Sequence, residues 1–151
     1  MTNSEMAVVG ILAAFGAAAM IIGIIWYILQ VIAKWKIFNK MDEAGWKSII
    51  PFYSDYIVFK RTWKTSFFWI LLVMLILVEL LQPYSQDNVL VSIIVLLIAV
   101  AAAVIAIIQL NKLSKSFGHG AGFTVGLVFL NPIFLLILGF GSSEYIGNTT
   151  E

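Results

Sequence analysis

From Ala7 to Ile32 the chain carries no charged residue. As an α-helix this run would be about 39 Å long at roughly 1.5 Å per residue. A bilayer core needs about 20 apolar residues, so the run is expected to cross a membrane and to tilt or emerge at one end. It does not read as a cleaved signal sequence. Such a leader opens with basic residues and has a shorter apolar stretch, whereas the only charge ahead of this run is Glu5. Three further spans are expected over 66–82, 89–110 and 123–140. The first of these contains Glu79 and is followed by Pro83, the second is free of charge, and the third is interrupted by Asn131 and Pro132. Composition agrees: 62% of residues are apolar and 11% charged, against roughly 45–50% and about 25% in soluble domains. The expected fold is all-α, a single membrane domain over 1–151 with four transmembrane helices and interfacial amphipathic helices between the first and second.

The charges are not scattered. Lys34, Lys36, Lys40, Lys47, Lys60, Arg61 and Lys64 lie between the first and second apolar runs, and Lys112 and Lys115 between the third and fourth, which accounts for all nine basic residues. The other connecting and terminal segments carry Glu5, Asp87, Glu144 and Glu151. Basic loops stay on the cytoplasmic side. Four crossings then place both basic loops inside and both termini outside, and three or five crossings would break that pattern.

The segment 34–64 interleaves lysines with aromatic rings: Trp35, Phe38, Trp46, Phe52, Tyr53, Tyr56, Phe59 and Trp63. Rings of this kind settle at headgroup depth with the amines in water. Trp35, Phe38 and Met41 recur at helical spacing, so the segment should begin as a continuation of the first helix. Gly45 interrupts it, and Pro51 forces Ile50 toward extended geometry. Two short interfacial helices with a bend between them are expected. Trp35, Lys36, Lys40, Trp46, Lys47, Lys60, Arg61 and Trp63 are the candidate lipid-contacting residues, each lysine near an anionic surface contributing about 1 kcal/mol.

Two blocks resemble an uncharacterised family of small bacterial membrane proteins. The first is Trp35-Lys-Ile-Phe followed by Ala44-Gly-Trp-Lys-Ser-Ile-Ile-Pro-Phe-Tyr. The second comprises Phe117-Gly-His-Gly, Gly122-Phe-Thr-Val-Gly-Leu, Pro132-Ile-Phe and Leu138-Gly-Phe-Gly, with Tyr145 and Gly147. The resemblance implies four helices in the bacterial cytoplasmic membrane and supplies no catalytic residue. Some members of that family carry the label signal peptidase I. A Ser/Lys pair needs a lysine beside its serine on the outer face, yet every lysine lies in a loop expected inside, while Ser85, Ser142 and Ser143 are expected outside.

Other chemistry has few residues to draw on. The absence of cysteine excludes disulfides and thiolate sites, and His119 is a single histidine where a catalytic zinc takes three protein ligands. No cofactor and no enzymatic activity are expected, and a net charge of +1 gives no reason to expect nucleic acid. Glu79, Gln109 and Asn131 are the candidate intramembrane polar residues, since polar groups in a bilayer core are costly and mark functional positions. Small residues four apart let helices approach closely, which makes Ala19/Gly23, Ala99/Ala103 and Gly122/Gly126 candidate packing pairs. The partners expected are the lipid bilayer and either further copies of the chain or another membrane protein. The expected function is non-enzymatic, through protein or lipid contacts, as an accessory subunit, assembly partner or immunity-type factor. The alternative is a homo-oligomeric channel or small transporter using the intramembrane polar residues.

Overall fold

The computed structural model describes residues 2–149 and is helical, with no strand among those residues. Helix α1 spans Asn3–Lys40, α2 Tyr53–Thr62, α3 Thr65–Leu81, α4 Val89–Ser116, α5 Ala121–Phe129 and α6 Asn131–Phe140. Short 3-10 turns cover Gly45–Ile49 and Gln82–Ser85. Local sequence explains the boundaries. Thr2 and Glu5 form a capping box at the start of α1: Thr2 N donates to the Glu5 carboxylate at 2.6 Å and Glu5 N to Thr2 Oγ1 at 3.3 Å, satisfying two donors that a helix start leaves open. Asn88 caps α4 by accepting from Leu90 N and Val91 N. Pro83 begins the turn that lengthens α3, and the stretch Thr65–Ser85 is apolar and long enough to cross a bilayer, as are α1 and α4.

All nine basic residues cluster where α1 ends, α2 lies and α4 ends, and this basic end holds the core. Ile37, Phe38 and Met41 of α1 pack with Ile57 of α2, Leu113 and Phe117 of α4, Leu127 of α5 and Leu138 of α6. A second cluster joins Phe59 and Trp63 to Phe68 of α3, with the Trp63 and Phe67 rings stacked 3.8 Å apart. Beneath the 3-10 turn the Trp35 indole lies so close to Gly45 that a Cβ there would overlap it. Toward the other end the apolar side chains of α1, α3 and α4 are exposed, as helices solvated by lipid tails can be.

The fourth crossing expected over 123–140 is not one helix. α5 and α6 are about 14 and 15 Å long, each near half of a bilayer core of about 30 Å, and the chain doubles back between them at Leu130. In a continuous helix Phe123 and Phe134 would stand roughly 16 Å apart along the axis. Their ring centroids are 4.9 Å apart. α5 leaves the end of α4, with Asn111 Nδ2 donating to Thr124 Oγ1 at 3.0 Å. α6 returns beside α1 in the same direction, from Gln30 Nε2 on Pro132 O at 3.0 Å to Lys40 Nζ on Leu138 O at 2.7 Å. The following residues close the loop: Ile146 N donates to Ser116 O at 2.8 Å, Tyr145 Oη donates to Arg61 O, and Asn148 Nδ2 donates to Trp63 O at 2.6 Å. Residues 143–148 therefore lie at the basic end, which corrects the expectation that this tail sits on the opposite face. The charge rule was met by the basic loops alone, and acidic residues such as Glu144 carry little weight in it.

Candidate functional site

α1 touches α6 and the Gly45–Ile49 turn, but none of its Cα atoms comes within 8 Å of α3 or α4. The space between them, near the basic end, is a cavity of about 370 Å³, within the range of about 300–1,000 Å³ typical of small-molecule sites. Its walls are apolar, with Phe68, Leu71, Leu72 and Leu75 from α3 facing Ile37 of α1 and Leu135 of α6. Leu75, within the apolar stretch of α3, lines it and is exposed, so the gap reaches the side of the protein at the level of that helix. Lys34, Ser54, Asp55, Gln109 and Asn131 also line it.

Each polar group has a structural reason for its position. Thr62 Oγ1 donates to Val58 O at 2.7 Å, so that oxygen accepts from Gln109 Nε2 at 2.7 Å. In this arrangement the amide nitrogen donates to Thr62, and Oε1 is buried without a hydrogen-bond partner. Asn131 opens α6, and its Nδ2 donates to Leu127 O at 3.1 Å. Asp55 sits in the first turn of α2 and remains accessible from the mouth of the cavity. Partial burial pushes its carboxyl above the usual carboxylate range, against an opposing pull from the Lys34 charge. Lys34 and Asp55 both line the cavity without forming an ion pair. Phe52, also in the lining, has φ of 60°, a left-handed conformation that a bulky side chain adopts at a cost of about 1–3 kcal/mol.

Of the three intramembrane polar residues singled out from sequence, the fold brings Gln109 and Asn131 to one cavity and leaves Glu79 exposed beyond it. The aromatic and basic candidates divide. Trp35 and Trp46 are exposed at the basic end. Lys36 sits 4.5 Å over the Phe140 ring, and Trp63 is buried. Lys47 and Arg61 both pair with the Glu43 carboxylate at 2.7 Å. The Lys60 side chain is exposed, and its carbonyl accepts from Asn148. Lys40 is drawn inward: its Nζ donates to Leu138 O and, at 2.8 Å, to Gly141 O.

The small-residue pairs fare unevenly. Ala19, Gly23, Ala99 and Ala103 are exposed, with open space around Gly23 and Gly122. Gly126 lies under the Phe134 ring. A glycine outside these pairs, in the Leu138-Gly-Phe-Gly block, brings one helix backbone against another. A Cβ on Gly139 would meet Ala33 O at 2.7 Å and Ala33 Cα at 2.8 Å. His119 also has an unforeseen partner, with Nε2 2.7 Å from Ser143 Oγ and the ring stacked on Phe123. The pair ties the tail to the α4–α5 connection. No group of three or more His, Cys, Asp or Glu that could hold a metal occurs among the described residues. Lys34 and Asp55 were legible only as loop charges, because nothing in the sequence shows that α2 folds back over the gap.

Compared with known proteins, residues 46–148 match the model of a family of unknown function (DUF5684). None of the curated proteins and none of the solved structures matches the chain.

Proposed function

We infer that this chain, which belongs to that family of unknown function, is a multi-pass membrane protein that acts by contact and holds a membrane amphiphile in the gap between α1 and α3. The observation that carries the reading is the gap itself: apolar walls, a sideways opening at the level of the spans, and Lys34, Ser54, Asp55 and Gln109 toward the basic end. An amphiphile has that same division of chemistry. The retention of basic loops on the cytoplasmic side supports an orientation with the basic end and the 143–148 tail inside and the start of α1 outside. The family resemblance supports the bacterial cytoplasmic membrane as the location. The channel alternative is weakened because Glu79 does not share a lining with Gln109 and Asn131.

The test is native mass spectrometry of the detergent-solubilised protein. One phospholipid should survive collisional activation that strips the remainder, and Leu72→Trp, which fills the gap, should release it. A wild-type protein that sheds all lipid together under the same activation overturns the reading.

A further inference from the structure

The polar atoms around the gap constrain the head of the amphiphile. Gln109 is 7% exposed, and its Oε1 has no donor. In this orientation its nitrogen donates to Thr62 Oγ1, whose own hydrogen goes to Val58 O. A buried acceptor without a donor is costly and calls for an N–H or O–H from a ligand. Asp55 adds a second acceptor, a carboxylate, so the donor best suited to both is a cation bearing N–H. Lys34 lines the same gap and is not ion-paired to Asp55. It supplies a fixed positive charge that calls for an anion on the same molecule. Phe59 and Phe68 also line the gap and a ring face attracts any ammonium, but a quaternary one has no N–H to donate to Oε1.

We propose that the gap binds an aminophospholipid, with its primary ammonium between the Asp55 carboxylate and Gln109 Oε1, its phosphate toward Lys34, and its acyl chains along Leu71, Leu72 and Leu75 out through the sideways opening. This rests on the lipid-holding reading above and narrows it to one headgroup. A choline headgroup has the same charges but no N–H, and a glycerol headgroup can donate hydroxyls to both acceptors but brings no positive charge to Asp55.

The test titrates phosphatidylethanolamine, phosphatidylcholine and phosphatidylglycerol of identical acyl chains onto the delipidated full-length protein, with bound lipid read by native mass spectrometry. Soluble glycerophosphoethanolamine forms a fourth arm. Wild-type protein should prefer the ethanolamine lipid by about tenfold or more, as sites with buried hydrogen-bonding groups discriminate against analogues lacking the matching group. Asp55→Asn, at an accessible position, and Gln109→Leu should each still retain lipid but bring the three headgroups within about twofold. Glycerophosphoethanolamine should fail to compete, which assigns the site to a lipid rather than to a free headgroup. Equal retention of all three lipids by the wild type overturns the headgroup assignment and leaves the lipid-holding reading standing. Preference for phosphatidylglycerol, or full competition by the soluble headgroup, overturns the assignment as well. Retention of no lipid at all overturns both.

Discussion

Glu43 shows how a single residue holds the basic end together. It is buried at 8% exposure between Lys47 and Arg61. Burial alone would raise its pKa, but hydrogen bonds and charges from Lys47 and Arg61 outweigh that and hold it below the ordinary value. A carboxylate with a depressed folded-state pKa contributes stability that is fully present above its unfolded pKa and is lost as pH falls through the folded value. Glu43→Gln should therefore lower the unfolding temperature in detergent at pH 7. The gap to wild type should begin to narrow below the ordinary glutamate value near 4.5 and close at lower pH. A gap that stays constant across this range would show that the charge of Glu43 does not matter. Arg61→Ala should cost about 1–2 kcal/mol, less than the 3–5 kcal/mol of a fully buried pair, because its side chain is 34% exposed and partly screened. At this scale the sequence was legible by residue type but not by pairing: Lys47 and Arg61 read as lipid-facing charges, and the acid between them drew no notice.

α6 of the α5–α6 hairpin docks on α1, and two contacts characterise that docking. Lys40 caps the last carbonyls of α6, where a positive charge also complements the helix dipole. Gly139 lets the α6 backbone rest on Ala33. Gly139→Ala should destabilise the protein by about 1–3 kcal/mol, as overpacking does, since backbone rather than a flexible side chain would have to yield. Gly122→Ala, at an open position, should leave the unfolding temperature within a degree or so of wild type. Equal behaviour of the two variants would argue that α6 does not dock on α1. The first three spans were legible because uninterrupted apolar length is itself the signal. The hairpin was not, because one helix over 123–140 and two half-length helices have the same hydropathy. Asn131-Pro132 marked where the break falls but not how far the chain turns there.

For the molecule as a whole, three helices are long and apolar enough to cross a membrane and the hairpin returns to the basic end, an arrangement that predicts an odd number of crossings. The absence of cysteine allows a direct check. Single-cysteine variants Ser142→Cys and Lys64→Cys should react with a membrane-impermeant maleimide from the same side of a sealed vesicle, and Asp87→Cys from the other. Ser142→Cys labelling together with Asp87→Cys would restore the four-crossing arrangement. The two levels of organisation also differ along α1. From residue 2 to residue 29 every position is exposed, and Gly10, Gly16 and Gly23 have open space where a Cβ would go, whereas the last turns of the same helix enter the core. A stretch so exposed along most of its length is only weakly coupled to the basic end, so free-energy changes from substitutions in the two regions should sum with little interaction term. A mutational scan of that half-helix would thus report mainly on what surrounds the protein in its membrane.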